Sequence, residues 1–294
     1  MFESQLFRIL SRTKMNYTRS RLFAALFALA LASALVPAAP PAAAMQPLGY
    51  QLSAKQFSAL ADDAAAAPVN PAGLIGLGHR GILLHLSAAS LPGAHGAEER
   101  LFTYAEPDTG LGAGALTLRL SPEATEFLYT VARMVGPATA AGANLKYRSA
   151  PLGSWWAVDF GLQHAFGRYA TVGAAIRSAL SSTGKIPGGG STDPLAPALQ
   201  AGLALGDRNR FFLAADYVTE DVNTANEASS AHFAAGASLG GVLVWGGQRA
   251  QLPSWERVDI AGVEVRFGSL QLDVTVFDIT GSNRTVSIGI AYFF

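Results

Sequence analysis

The apolar residues of this chain keep falling on every second position. Within the last twelve residues Val286, Ile288, Ile290, Tyr292 and Phe294 share one parity and Thr285, Ser287, Gly289 and Ala291 the other, with Phe293 as the lone bulky exception. Side chains of a strand alternate between its faces, so such a row is a strand with one greasy face and one small or polar face. The pattern recurs. Leu116, Leu118 and Leu120 alternate with Thr117 and Arg119, and Trp156, Val158, Phe160 and Leu162 with Asp159, Gly161 and Gln163. Val172, Ala174 and Ile176 alternate with Thr171, Gly173 and Arg177, and Leu270, Leu272, Val274 and Val276 with Gln271, Asp273 and Thr275. In residues 258–267 the apolar parity shifts around Ala261-Gly262, which predicts a bulge there.

Composition decides what these strands face. Half of the residues are hydrophobic and 14% are charged, against roughly 25% charged in an average soluble protein. Yet past residue 44 no uninterrupted apolar run reaches the roughly 18 residues of a helical span. A closed antiparallel transmembrane β-barrel reconciles the two facts, because only alternate residues meet lipid. The expected fold class is therefore all-β. The strand tally is about 12–14, and the even-number rule for bacterial single-chain barrels leaves 12 or 14. Gly167-Arg168, Gly206 to Asn209, Gly268-Ser269 and Gly281 to Asn283 read as tight turns. Longer connections are expected at 89–99, 180–194, 219–230 and 248–255, the Ser/Thr/Gly/Pro tract 180–194 being the most mobile. Low charge and high apolarity exclude a disordered chain, and the lack of basic excess argues against a nucleic-acid partner. With no cysteine, disulfides, thiolate metal sites and cysteine nucleophiles are excluded.

The N-terminus reads as a secretory signal peptide over residues 1–44. Arg8, Arg12, Lys14, Arg19 and Arg21 precede an apolar stretch from Leu22 to Val36, and Ala42-Ala43-Ala44 supplies a small-residue cleavage site near Ala44. Met15 is an alternative start, and a membrane anchor is the alternative reading of the whole stretch. Five of the 21 basic residues and one of the 21 acidic ones lie in this stretch, which leaves the remainder at a net charge of −4. Residues 45–73 form a separate, plug-like segment ahead of a barrel spanning 74–294. Within it, Ala-rich residues 53–67 predict a short helix, with Ser53 as N-cap and Leu52, Phe57 and Leu60 on one face. Asn70-Pro71-Ala72-Gly73 then predicts a turn before the first strand.

Ala61-Asp62-Asp63-Ala64 followed by Val69-Asn70-Pro71-Ala72-Gly73-Leu74 resembles the N-terminal region of the FadL-like (long-chain fatty-acid transporter) superfamily. Gly142 to Tyr147, Val158 to Leu162, and Gly262 to Phe267 running into Leu272-Asp273 are similar to its PorV-like branch. The resemblance implies a 14-stranded outer-membrane barrel with an N-terminal plug. For the transporter branch it implies passive uptake of small or hydrophobic solutes. For the PorV-like branch it implies a non-conducting structural or partner-binding barrel, serving envelope assembly, secretion or surface attachment. The chain is shorter than typical transporters, and its pre-barrel segment offers less material for a hatch. The ending Tyr292-Phe293-Phe294 resembles the signal read by the barrel assembly machinery, with Tyr292 and Phe294 as its aromatics. The expected location is thus the cell outer membrane, and the expected partners are its lipid, that machinery, a hydrophobic small molecule or an envelope protein.

Arg119, Lys146, Arg148, Asp159, Gln163, Arg177, Asp216, Glu264, Arg266 and Asp273 fall on the polar parity and are candidate lumen-lining residues. Asp159 and Asp273 fix the register, because a charge among apolar neighbours at mid-strand cannot face lipid cheaply. His79, His85, His95, His164 and His232 show no metal-ligand spacing. Gly188-Gly189-Gly190 lacks the Lys-Ser/Thr of a phosphate loop. The reading is a non-enzyme without a cofactor. Trp155 and Trp156 are expected at a membrane interface, and Trp245 and Trp255 either there or in loops, with aromatic belts the plain reading for all four.

Overall fold

The computed structural model describes residues 57–294 except 62, 92–93, 96–98, 186–189, 208–209, 223–226 and 278–284. The signal segment, its cleavage position, Leu52, Ser53, part of the turn expected at 206–209 and the whole of the turn expected at 281–283 lie outside the described residues. Fourteen long strands follow one another: β1 (Gly81–Leu91), β2 (Glu99–Glu106), β3 (Ala113–Leu120), β4 (Thr125–Met134), β5 (Thr139–Ala150), β6 (Gly153–Phe166), β7 (Ala170–Ser181), β8 (Ala198–Asp207), β9 (Phe211–Glu220), β10 (Ala228–Leu239), β11 (Val242–Leu252), β12 (Arg257–Phe267), β13 (Leu270–Phe277) and β14 (Thr285–Phe293). Each pairs antiparallel with its sequence neighbours. β14 returns to β1 in an unbroken register from Gly81↔Phe293 to Ala89↔Thr285, so the sheet closes into a barrel without free edges.

The period-two rows choose the two faces. In β4, Glu126, Leu128, Thr130 and Ala132 are buried, while Phe127 and Tyr129 between them are more than half exposed. The terminal strand follows suit, with Ile288 and Phe294 outward and Ser287, Ala291 and Phe293 inward. An exposed greasy face all round a closed sheet is the surface that lipid covers. Hairpins at one rim are tight, and Gly167, Gly240, Gly241 and Gly268 supply their positive φ angles. At the opposite rim the connections 182–197 and 221–227 are long.

Three details differ from the expectation. The register through Ala261-Gly262 is continuous with both neighbouring strands, so no bulge lies there. Ile260 breaks the apparent parity because it faces the lumen and packs beside Trp245. The actual irregularity lies between Val158 and Phe160, opposite Arg177, Ser178 and Ala179 of β7. Finally, the long connection expected at 248–255 shortens to 253–256, since β11 runs on to Leu252.

The segment ahead of β1 lies inside the barrel. No long helix forms over its described part, which is a turn at 57–60 and two 3-10 helices, Ala64–Ala66 and Pro71–Gly76. Asp63 and Asn70 restart the chain instead, each accepting a backbone N–H two residues on, Ala65 N at 2.8 Å and Ala72 N at 3.2 Å. Pro71 opens the second helix, where its missing N–H costs nothing.

Candidate functional site: the barrel interior

Fourteen strands leave a lumen that must hold something polar, small or both. Here the inner segment 57–77 spans it and meets two kinds of wall. Along β5, β6 and β7 the inward positions include Gly142, Gly161 and Gly173. A Cβ at Gly142 would overlap the backbone of Pro71 and Ala72, at Gly161 the side chains of Asn70 and Pro71, and at Gly173 the Ser58 carbonyl. The inner segment therefore lies directly on the wall's backbone, an approach only glycine permits.

Side chains then fix its position. Asn70 Nδ2 donates to the carbonyls of Ser58 (2.8 Å) and Leu162 (3.1 Å). Gln163 Nε2 donates to the carbonyls of Ala59 and Ala61 at 3.1 and 3.2 Å. Asn144 Nδ2 donates to the Ala67 carbonyl at 2.8 Å, and Ser58 Oγ to that of Gly173 at 3.1 Å. From the far side, Asp216 Oδ2 accepts the Ser58 N–H at 2.7 Å. Backbone groups of a non-repetitive segment need such partners once they leave water.

The remaining contacts are apolar. Phe57, Ala59 and Leu60 pack on Ala204, Phe212, Ala214, Ala234 and Trp245 of β8 to β11. Ala64, Ala65, Ala67, Leu74 and Leu77 pack on Leu83, Leu101, Ala115, Ala132 and Phe293. Phe293, the bulky exception of the last strand, is thus part of the seat of the inner segment.

Asp159 sits at the irregularity in the wall. Its carboxylate accepts from Ser178 N (2.7 Å), Lys146 Nζ (3.0 Å) and Asn144 Nδ2 (3.1 Å). Ser178 adopts a φ of +50° there. The carboxylate thereby takes up a backbone N–H that leaves the strand ladder, and the lysine neutralises its buried charge.

Of the other candidate residues, Arg119 makes a two-point contact with Glu99 (2.6 and 3.2 Å) and reaches Glu126 at 3.3 Å. Arg177 lies 3.7 Å from Glu220, and Arg148 3.6 Å from Glu126. Asp273 is buried, its carboxylate lying over the backbone of Gly289, where a Cβ would meet it. Arg266 lies over the Phe293 ring at 5.0 Å. Tyr292 and Phe294 stack with centroids 6.0 Å apart at the end of β14.

Two cavities flank the inner segment. At the tight-turn rim, about 840 Å³ is bounded by Leu60, Ile75, Leu77, Gln163, Glu264 and Arg266, among others. At the long-loop rim a crevice of about 220 Å³ lies among Arg119, Glu126, Lys146, Arg148, Arg177 and Glu220. The first has a mixed polar and apolar lining, and the second is mostly charged. Asp159, Gln163 and Asp216 converge on the inner segment or its wall. Arg119, Lys146, Arg148 and Arg177 converge on the outer crevice, and Glu264 and Arg266 on the inner cavity. Asp273 touches neither.

Two tryptophans depart from the interfacial expectation. Trp245 is 5% exposed and sits in the apolar seat, and Trp155, 8% exposed, points into the lumen. Trp156 faces outward beside Tyr147, ring centroids 4.9 Å apart, as an interfacial aromatic should. Trp255 is exposed in the connection before β12. Sequence reasoning missed Gly142, Asn144, Ser58 and Phe212. The inward parity of Gly161 and Gly173 on adjacent strands was the one signal that pointed to a seat.

No protein-family model matches the sequence, and no curated protein does. Solved structures do match. A CymD monoaromatic hydrocarbon channel aligns with a TM-score of 0.60 at 13% identity, covering 81% of this chain and 94% of that one. The Ralstonia pickettii toluene transporter TbuX gives 0.58 at 13% identity, covering 79% and 94%. The Pseudomonas putida toluene transporter TodX gives 0.61 at 10% identity, covering 79% and 94%. At these identities the likeness is one of fold alone.

Proposed function

We propose that the chain is an outer-membrane channel of FadL type that lets small hydrophobic solutes cross passively, with its tight-turn rim toward the periplasm. The observation that carries this reading is a closed barrel whose lumen is interrupted by its own N-terminal segment, with a cavity on either side. Such a segment is held by hydrogen bonds and packing rather than by the strand ladder, so it can shift while the barrel stays intact. The fold-level likeness to hydrocarbon channels supports the choice of solute class. Tyr292 and Phe294 serve as the assembly signal in this reading. The test is uptake of the apolar dye N-phenyl-1-naphthylamine by cells with and without the chain in their outer membrane. Faster uptake with the chain is expected, and equal rates contradict the reading.

A second reading, closer to the PorV-like branch, is a non-conducting barrel that binds an envelope partner. It is favoured by the complete burial of Ala61, Ala66, Ala67, Ala72 and Leu74 in the lumen. Equal dye uptake together with normal outer-membrane assembly would favour it.

A further inference from the structure

The connection between β7 and β8 does not simply loop outward. After Ser181 the chain pairs Lys185 with Ser154 of β6, and Gly184 and Lys185 with Thr192 and Ser191. It then returns as Asp193-Pro194-Leu195-Ala196-Pro197. This strap lies over the lumen, because Trp155, an inward residue, donates its indole N–H to the Asp193 carbonyl at 3.0 Å. Two further bonds hold the strap: Leu195 N to Ser181 Oγ at 2.9 Å, and Val222 N to the Pro197 carbonyl at 2.9 Å. Leu195 and Ala196 roof the charged outer crevice.

The way this strap is held sets it apart from the barrel wall. None of the three bonds belongs to the strand ladder, so all can break while the barrel remains closed. Pro194 and Pro197 bring no N–H that would need a new partner. The groups released, an indole N–H, a serine hydroxyl, two carbonyls and two amides, would meet water in the opened crevice, so opening leaves none of them stranded. Below the crevice the inner segment interrupts the lumen a second time. The arrangement is two closures in series with a small chamber between them.

We propose that residues 193–197 are an infolded gate over the outer crevice, latched by the hydrogen bond from Trp155 to the Asp193 carbonyl. The proposal rests on the transport reading and adds to it the point at which access from outside is controlled. Opening is local, leaves β7 and β8 paired, and precedes any shift of the inner segment.

The absence of cysteine makes the test clean. Ala198, buried at the foot of the strap and part of the crevice lining, is changed to Cys as a reporter. Its reaction with the membrane-impermeant thiol reagent MTSET is timed on intact cells. The reporter should react slowly, and adding Trp155→Phe should speed it about tenfold, the worth of one hydrogen bond of the stronger kind. Ser181→Ala, which removes a different anchor, should act in the same direction. The heat-dependent gel shift of a folded barrel shows that each variant is assembled. In a second arm, Ser181→Cys and Leu195→Cys are bridged by a short bis-methanethiosulfonate. Dye uptake should stop on bridging and return with dithiothreitol. Reporter rates equal to the parent's in both anchor variants would overturn the gate, as would unchanged uptake through the bridged protein. If no form passes the dye, the transport reading falls, and the reporter rates alone decide whether the strap moves.

Discussion

The inner segment is held by a different balance of directional bonds and apolar burial on the two sides of the lumen. Against β5 to β7 it rests on glycines and is fixed by directional bonds from Asn70, Gln163 and Asn144. Against β8 to β11 it presses Phe57 and Leu60 onto Phe212 and Trp245, and Asp216 adds a directional bond by accepting the Ser58 N–H. Burial is non-directional and scales with area, so the apolar wall sets how tightly the segment is held. Hydrogen bonds and close backbone contact have exact geometric demands, so the polar wall sets where it is held. Substitutions on the two walls should therefore fail differently.

The largest effect is expected on the apolar wall. Phe212→Ala removes a buried ring and should destabilise the barrel by about 3–5 kcal/mol in urea unfolding. The inner segment should stay in register, and protease should not reach it under native conditions. Gly161→Ala comes next. Its Cβ would overlap Asn70 and Pro71, so a cost of about 1–3 kcal/mol is expected. The segment should be displaced, with more dye uptake from an assembled barrel. If Gly161→Ala lowers stability but leaves dye uptake and protease resistance unchanged, the two walls do not divide the work as described. Asn70→Ala removes two donated bonds and one accepted bond, and should cost about 1–3 kcal/mol because it strands buried carbonyls. It should also raise protease access to residues 57–77. The smallest effect is expected for Arg177→Gln. Its contact with Glu220 is 3.7 Å long and partly open to solvent, so a loss of about 0–1 kcal/mol follows. A larger loss would show that the outer crevice, not the seat, dominates stability.

The same division explains what could be read in the sequence. Strands facing lipid on one side announce themselves through alternation, and Asp159 and Asp273 fixed their own direction because lipid refuses a charge. The polar seat was partly legible, since Gly161, Gln163 and Gly173 share the inward parity of β6 and β7. The apolar seat was not, because a greasy lumen wall defeats the rule that greasy means outward. Ile260 looked like a bulge, and Trp245 looked like a membrane anchor, for this one reason. The true irregularity hid because alternation along β6 is unbroken, while the extra residues lie on β7, opposite Asp159. The choice between 12 and 14 strands stayed open where alanine occupies both faces, as in Ala231, Ala234, Ala235 and Ala237 of β10. Small residues satisfy either face, so they carry no parity.

The central claim is that, among the described residues, the segment 57–77 is what closes the barrel at that depth. The most direct test is single-channel conductance in planar bilayers of a barrel carrying Trp155→Phe and Ser181→Ala, which unlatch the outer strap, with residues 57–76 either intact or replaced by a Gly/Ser linker. The account predicts a silent barrel while the segment is intact and clear conductance steps once the segment is replaced. A replaced barrel that stays silent, or an intact one that already conducts equally, would contradict it.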